Sequence, residues 1–416
     1  MKKNNQFECF SLRYKLLLIV ILIIHFLIVY SVLFQKNSVI WSFHNDTIHR
    51  QGRGSDFFAV YHAGVNRNIG LSPYIRGNEK KTPYYYDFRY LPVMAYFGQI
   101  MANFSPITAY RLWIFLVELL LFMLVFFIMQ NIENVKIRMM TGIILLLSSP
   151  YFLEIHMGQF TFVSVGLCIL SFISFGGPVV FILSALIKPI TVIVIPFIMK
   201  YKEYRLTAIS AVIVLILVSM PSFLFNSEDW GRFFDVNFNL QGGLDCGNYG
   251  FIKLLHLISI DLELEFIDQY WQFFVSYFRL ILIGLAFIIV ILAKNVNVKL
   301  GVSLLLLTHF VTYQHVWEHH MSAVIIIGAF ILTIRGLNKW SCYIILFSMV
   351  LLSLPTPFYF FDVAKNPLIW NPSINWESYK LYLNLLPKVI PTLTIFVLCV
   401  YEIIKTSFSG IKKGIN

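Results

Sequence analysis

One carboxylate, Asp56, lies in a polar stretch at residues 54–64, shortly after the first strongly apolar run of the chain. Aromatic residues surround it, and Arg53 and Arg67 stand on either side. A carboxylate in this setting can take a proton from a hydroxyl group and so act as a general base. The residue types fit two structural roles as well, an N-cap of a helix and a salt bridge to Arg53. These alternatives stay open on residue types alone.

Further residues with suitable chemistry occur before and after this stretch. Lysine, arginine and protonated histidine can hold a phosphate, and an aromatic ring can stack on a sugar. For His319 and His320, hydrogen bonds to interfacial groups are an equally open alternative. Together with a base, these residue types suit group transfer to a hydroxyl with an anionic leaving group. The candidates for binding the donor phosphate or sugar are Arg53, Arg89, Gln159, Lys188, Trp317, His319 and His320.

The composition indicates the class of protein that must position these residues. Of the 416 residues, 58% are hydrophobic and 13% are charged, and the apolar runs are long and continuous. A soluble core does not absorb that much apolar surface, and membrane β-barrels need short segments of alternating polarity. The sequence therefore predicts an all-α, polytopic membrane protein, with membrane lipids as its surroundings.

Charge and cysteine usage exclude other classes. The formal net charge of +11 comes from short basic clusters between apolar runs, which is typical of cytoplasmic loops and gives no reason to expect nucleic acid. The five cysteines are scattered, and the histidines near Trp317 do not form an HExxH pattern. We therefore predict no cofactor and no structural metal, and leave a divalent metal requirement open.

The apolar runs and basic loops predict about twelve membrane segments with both termini in the cytoplasm. The first outer loop, 35–110, is long, and its apolar run at 90–104 is expected to form a helix on the membrane surface. Further outer loops are expected at 226–272 and 357–382, and residues 1–416 are expected to form a single membrane domain. The predicted segments are 16–34, 112–129, 139–152, 160–175, two within 178–199, 206–225, 273–293, 300–313, 321–334, 343–354 and 383–404.

The run 178–199 is interpreted as two short helices. A single crossing would place the basic cluster 200–205 outside, against the positive-inside bias. Pro189 cannot join the helical hydrogen-bond ladder, so the break is expected between Lys188 and Pro189. This topology puts Asp56, the cluster at 156–159, the cluster at 315–320 and Lys188 toward the outer side of the membrane. Ionisable residues at membrane depth usually have a function.

Five motifs follow one another along the chain, at residues 56–64 with 71–74, 89–92, 158–159, 185–189 and 317–320. In this order they resemble the motifs of glycosyltransferase family 87, which comprises polyprenyl-phosphate-dependent mannosyltransferase-like enzymes of the GT-C fold. The resemblance covers about residues 50 to 325. Leu91 and Pro92 replace the family's usual proline spacing after Tyr90, and residues 314–316 replace its serine-proline pair before the tryptophan.

The resemblance implies inverting transfer of mannose or another hexose or pentose from a polyprenyl-phosphate donor. The acceptor would be a lipid or glycan at the outer face of the membrane, and Asp56 matches the general base proposed for the family. The lysine-, asparagine- and isoleucine-rich composition indicates a bacterial cytoplasmic membrane. Two other functions remain open: a multi-pass transporter or flippase, and a polymerase or ligase that uses a pyrophosphate-linked glycan.

Overall fold

The computed structural model describes residues 12–35, 53–76, 83–174, 176–225, 227–238, 248–264, 266, 269–356 and 378–412. Within these ranges the regular structure is helical, apart from one isolated antiparallel bridge between Asn248 and Trp317. The predicted all-α class is confirmed for this part of the chain. The predicted outer loops fall partly outside the described residues, at 36–52, 77–82, 226, 239–247, 265, 267–268 and 357–377.

The described α-helices are numbered here in chain order. The first eight are α1 Leu12–Phe34, α2 Ser55–Asn68, α3 Pro92–Met101, α4 Pro106–Asn131, α5 Val135–Leu147, α6 Ser149–Met157, α7 Thr161–Ile173 and α8 Gly177–Ile187. The others are α9 Ile195–Ile198, α10 Arg205–Phe225, α11 Ser227–Phe238, α12 Phe251–Asp261, α13 Trp271–Leu292, α14 Val298–Thr312, α15 Met321–Ile331, α16 Lys339–Ser353 and α17 Ser378–Lys412. Short 3₁₀ helices occupy Pro189–Val194, Lys202–Tyr204 and Glu318–His320.

The chain is a multi-pass membrane protein. Shorter apolar helices of 10–17 residues occupy the other predicted segments. The count of twelve stays a prediction, because at ~1.5 Å per residue such helices fall short of ~30 Å of hydrocarbon. The helices long and apolar enough to cross a bilayer are Tyr14–Phe34, Pro106–Asn131, Val135–Met157, Lys202–Phe225, Trp271–Leu292 and Leu381–Ser407.

Burial differs strongly between helices. Every residue of α15 is buried, whereas α13 buries few of its side chains and exposes many large apolar ones. A helix that is apolar all round belongs at the centre of a bundle, and an exposed apolar surface suits contact with lipid. The residues immediately before α15, at 317–320, therefore lie at one end of a completely buried helix.

The first outer loop contains two paired helices, α2 and α3, where one was predicted. A Cβ atom on Gly64 would lie 2.0 Å from the carbonyl carbon of Gly98, and one on Gly98 would lie 2.1 Å from the Val60 carbonyl oxygen. Only glycine permits two backbones to approach so closely. This crossing holds α2, whose first turn carries Asp56.

Gly98→Ala should destabilise the protein, because the added methyl group meets backbone atoms that cannot move aside by rotation. Overpacking of this kind costs about 1–3 kcal/mol. Thermal unfolding in detergent measures it. The control is Gly231→Ala on α11, where a Cβ atom meets nothing within 4 Å. Equal apparent Tm values for the two variants would contradict the close crossing.

The N-terminus of α2 is joined to the C-terminus of α6. The Gly54 amide donates to the His156 carbonyl oxygen at 2.8 Å. Gly54 and Gly158 both have left-handed backbones, with φ of 76° and 68°, and a Cβ atom on Gly158 would lie 2.6 Å from the Cβ of Phe57. The two tight turns bring Asp56 and Gln159 together.

The predicted break in the run 178–199 is present. Helix α8 ends at Ile187, Lys188 is extended with φ −150° and ψ 121°, and Pro189 starts a 3₁₀ helix. Ser164 of α7 donates to the carbonyl oxygens of Ser184 and Lys188 at 3.0 and 2.9 Å. These bonds tie the break between the two helices to α7.

Candidate active site

A cavity of about 670 Å³ collects the predicted residues from helices far apart in sequence. Arg53 does not line it. The residues predicted from the sequence that line it are Asp56, Arg89, Gln159, Lys188, Trp317, His319 and His320.

Asp56 lies in the first turn of α2, where Gly54 is the N-cap and provides no side chain for capping. The Arg53 guanidinium donates to the Val32 carbonyl oxygen at 2.9 Å, at the end of α1. The structure thus supports neither the N-cap role nor the salt bridge to Arg53, and Arg53 is not a residue of this cavity. Among the described residues, Oδ2 of Asp56 is buried without a hydrogen-bond partner. Such an atom is available to a substrate hydroxyl.

Burial raises the pKa of Asp56 from its ordinary value of 3.8 to about 7. The positive charge of Lys188, a hydrogen bond with Gln159 and the charge of Arg89 act in the opposite direction, but loss of hydration dominates. A general base is most effective when its pKa lies near the working pH, because it is then both ionised and strongly basic.

The pH dependence of transfer follows from this shift. Asp56 must be ionised to accept a proton, so kcat/KM should rise about tenfold per pH unit and level off above about pH 7. The same shift costs folding stability as pH rises past 3.8, and the cost is complete above about 7. Infrared difference spectra against Asp56→Asn can follow the protonated carboxyl group. A carboxyl that titrates near 3.8 would contradict the assignment.

Lys188 and Arg89 provide positive charge at two depths. The Lys188 ammonium donates to Thr161 Oγ1 at 2.6 Å, at the first residue of α7, and is partly buried. Arg89 is exposed. Both residues line the cavity, so an anionic group inside it can contact one or both.

Glu154 of α6 connects the two sides of the cavity and was not predicted. It is 0% exposed, and its carboxylate accepts from the Phe162 amide at 2.7 Å and from Ser322 Oγ at 3.4 Å. Ser322 also donates to the His319 carbonyl oxygen at 2.7 Å. Glu154 and Lys188 are close enough for their charges to interact. The signal in the sequence was an acidic residue close to an apolar run, beside the predicted Gln159.

The turn at residues 317–320, called here the histidine turn, has a defined hydrogen-bond pattern. The Trp317 amide donates to His320 Nδ1 at 2.9 Å, so Nδ1 carries no proton and neutral His320 holds its proton on Nε2. His320 is therefore a neutral donor, and the protonated form considered from the sequence is incompatible with this bond. The His319 and His320 rings lie 4.2 Å apart. Among the described residues, His319 Nε2 is buried without a partner.

The remaining walls are mainly aromatic and aliphatic. One of them is the 3₁₀ helix that follows Lys188. The sequence offered no signal for these residues, because tyrosines and isoleucines are frequent throughout the chain. The cavity thus offers cations to an anionic group and an apolar wall to a hydrocarbon. The additional lining residues include Tyr86, Tyr90, Pro189, Ile190, Val192, Ile193, Phe233, Asn237, His309 and Tyr313.

Comparison with known families identifies the protein class. The model of glycosyltransferase family 87 matches residues 88–317, which is more than half of the 416 residues. The chain belongs to glycosyltransferase family 87. The resemblance inferred from the motifs is confirmed, and this family 87 protein is a membrane glycosyltransferase. The family gives no support to the transporter or flippase alternative. No curated protein and no solved structure matches the chain.

The matched region and the cavity overlap only in part. Arg89, Gln159, Lys188 and Trp317 lie within residues 88–317 of the family 87 match. Asp56 precedes the match, and His319 and His320 follow it. The fold nevertheless places all of them on one cavity.

Proposed function

We propose that this family 87 protein transfers a hexose or pentose from a polyprenyl-phosphate donor to a hydroxyl group of a lipid or glycan acceptor. The observation that carries the proposal is the partly buried carboxylate of Asp56, whose Oδ2 has no partner among the described residues, in a cavity that also presents Lys188 and Arg89. A base for the acceptor and cations for a phosphate are the two requirements of this reaction.

In the proposed reaction, Asp56 takes the proton of the acceptor hydroxyl as its oxygen attacks the anomeric carbon. The new carbon–oxygen bond forms while the bond from the anomeric carbon to the phosphate oxygen breaks. The electron pair of the broken bond stays on the lipid phosphate, and the configuration at carbon inverts because the displacement is direct. Gln159, which is hydrogen-bonded to Asp56, holds the base in place.

The positive groups stabilise the leaving phosphate as its charge grows. Lys188 is anchored by Thr161 and takes the inner position, whereas the exposed Arg89 takes the outer one. His320, with its proton on Nε2, is a neutral hydrogen-bond donor for the phosphate or the sugar. We assign Trp317 as a stacking surface for the sugar and the wall at 190–193 as a surface for the polyprenyl chain.

We place the reaction at the outer face of a bacterial cytoplasmic membrane, with both termini of the protein inside. The charge distribution supports this orientation, because the basic clusters between the apolar runs are expected in the cytoplasm. Asp56 and the histidine turn then lie on the opposite side of the membrane. Labelling of single introduced cysteines in intact cells would test it.

The deciding experiment offers the purified protein a panel of polyprenyl-phosphate sugars, mannose included, with lipid and glycan acceptors, with and without a chelator. We expect transfer from at least one donor, with inversion at the anomeric carbon. Release of free sugar alone, or transfer with retention, would contradict the proposed mechanism. Asp56→Asn is the inactive control.

Donor chemistry separates this proposal from the polymerase or ligase alternative. Such an enzyme moves a glycan from a pyrophosphate-linked lipid, so its leaving group carries a second phosphate. Lys188 and Arg89 are the only lysine and arginine among the described residues that line the cavity, which also includes Asp87 and Glu318, and this balance favours a single phosphate. Activity confined to pyrophosphate-linked donors would select the alternative.

A further inference from the structure

A buried ion pair lies behind the histidine turn. Glu318, between Trp317 and His319, is 0% exposed, and its Oε1 accepts from the Thr356 amide at 2.9 Å. The Lys388 ammonium lies 3.7 Å from the same oxygen and is also almost completely buried. The pair joins the turn at the cavity to α17, the last helix of the chain.

Lys388 holds a third segment as well. Its ammonium donates to the carbonyl oxygen of Leu352 at 2.9 Å and to that of Leu354, where α16 ends. The last carbonyls of a helix have no partner within it, and a lysine at this end satisfies them and suits the helix dipole. One side chain thus fastens α16, α17 and the Glu318 turn together.

The energetic cost of burying the Glu318–Lys388 pair indicates that the pair serves to position the turn at 317–320. Removing two ions from water is expensive, and replacing a buried pair by apolar side chains is often neutral or stabilising. A pair of apolar residues would hold the helices together, but it would lack the directional contacts that the Glu318 carboxylate makes with the Thr356 amide and the Lys388 ammonium. The carboxylate direction sets the position of the turn, and the turn includes the bond from the Trp317 amide to His320 Nδ1.

We propose that Lys388 and Glu318 are positioning residues that fix Trp317, His319 and His320 against the cavity. This inference rests on the proposed transfer reaction for its activity readout. Lys388 lies outside the family match at 88–317, so the last helix becomes part of the active-site architecture. Glu318 is among the residues that line the cavity, whereas Lys388 is not and acts only through the turn.

Three variants separate positioning from stability: Glu318→Gln, Lys388→Met, and the two combined. Each single substitution leaves one buried charge without its partner and should lower both the apparent Tm and kcat/KM. The double variant removes both charges, so the Tm should recover. Its kcat/KM should remain about 10²-fold below wild type, because a displacement of about 1 Å has an effect of this size.

Hydrogen–deuterium exchange gives a readout that does not depend on catalysis. In the double variant, exchange should increase in the peptide that contains residues 317–320, where the Trp317 amide is hydrogen-bonded to His320. The matched control is Glu402→Gln on the same helix α17. Glu402 also pairs with a lysine at 3.7 Å, Lys405, and accepts from Ser341 Oγ, but it does not line the cavity. This control should retain both kcat/KM and the exchange pattern of 317–320.

The outcomes are distinct. A double variant with recovered Tm, wild-type kcat/KM and wild-type exchange would overturn the proposal, since the pair would then be only structural. If the double variant does not fold, Lys388→Arg decides, because it keeps the charge but changes the length; wild-type activity and exchange in it would also overturn the proposal. A wild-type protein without any transfer activity would count against the proposed function alone, since the exchange data still test the positioning.

Discussion

Asp56→Asn is expected to lower kcat/KM for sugar transfer by about 10²- to 10⁴-fold, the range that general-base catalysis contributes. The amide has almost the same shape as the carboxylate but cannot accept the acceptor's proton. The buried carboxylate is costly to ionise, as its pKa of about 7 indicates, so the neutral amide should not reduce stability above that pH. Initial rates, the apparent Tm and donor affinity together measure the effect.

The control for this substitution is Asp235→Asn, an exposed residue on α11 that does not line the cavity. It should retain wild-type rates. Full activity of Asp56→Asn with donor bound would remove Asp56 as the base. A loss of folding in Asp56→Asn, in place of a loss of rate, would show that the carboxylate has a structural role.

The sequence located most of the cavity because polar groups at membrane depth are rare and stand out against apolar runs. Arg53 shows the limit of this reasoning. It is three residues before Asp56, but the chain makes a left-handed turn at Gly54, with φ of 76°. The side chains of Arg53 and Asp56 therefore lead to different places. The arginine reaches back to the Val32 carbonyl oxygen, which the end of α1 leaves without a helical partner. Proximity along the chain does not predict a shared cavity.

Glu154 and Glu318 show the opposite case, in which acidic residues near or within predicted motifs were not selected as site residues. Their roles depend on partners that are distant in sequence. Ser322 is 168 residues from Glu154, and the Thr356 amide is 38 residues from Glu318. Nothing in the local pattern distinguishes a buried acid with such partners from an acid exposed to water. Only the packing of α6 against the histidine turn makes the difference visible.

The helices were predictable where one physical signal dominated. Long apolar runs indicated the membrane helices. The missing amide hydrogen of Pro189 indicated the break after Lys188. Helix α2 had no such signal, because its sequence mixes aromatic, small and polar residues, yet most of it is buried. Its burial comes from the glycine crossing with α3 and the joint with α6, which are contacts between segments and not properties of either one.

Lys188→Met should weaken binding of a polyprenyl-phosphate sugar by about 2–5 kcal/mol, the usual effect of removing one member of a buried, hydrogen-bonded charge pair. The effect has two sources: the phosphate loses the inner cation of the cavity, and the buried Glu154 carboxyl group loses a neighbouring positive charge. Calorimetric titration in the Asp56→Asn background measures Kd without turnover.

A second substitution separates the two sources. Glu154→Gln combined with Lys188→Met removes the uncompensated carboxylate, so stability should recover while donor affinity remains weak. Lys299→Met is the matched control, because this lysine also donates to a threonine, Thr333 Oγ1 at 2.8 Å, but does not line the cavity. Recovery of donor affinity in the double variant would show that the loss in Lys188→Met came from the Glu154 carboxyl group. Persistent weak binding would leave direct contact between Lys188 and the phosphate as the cause, since the charge balance of the buried groups is then restored.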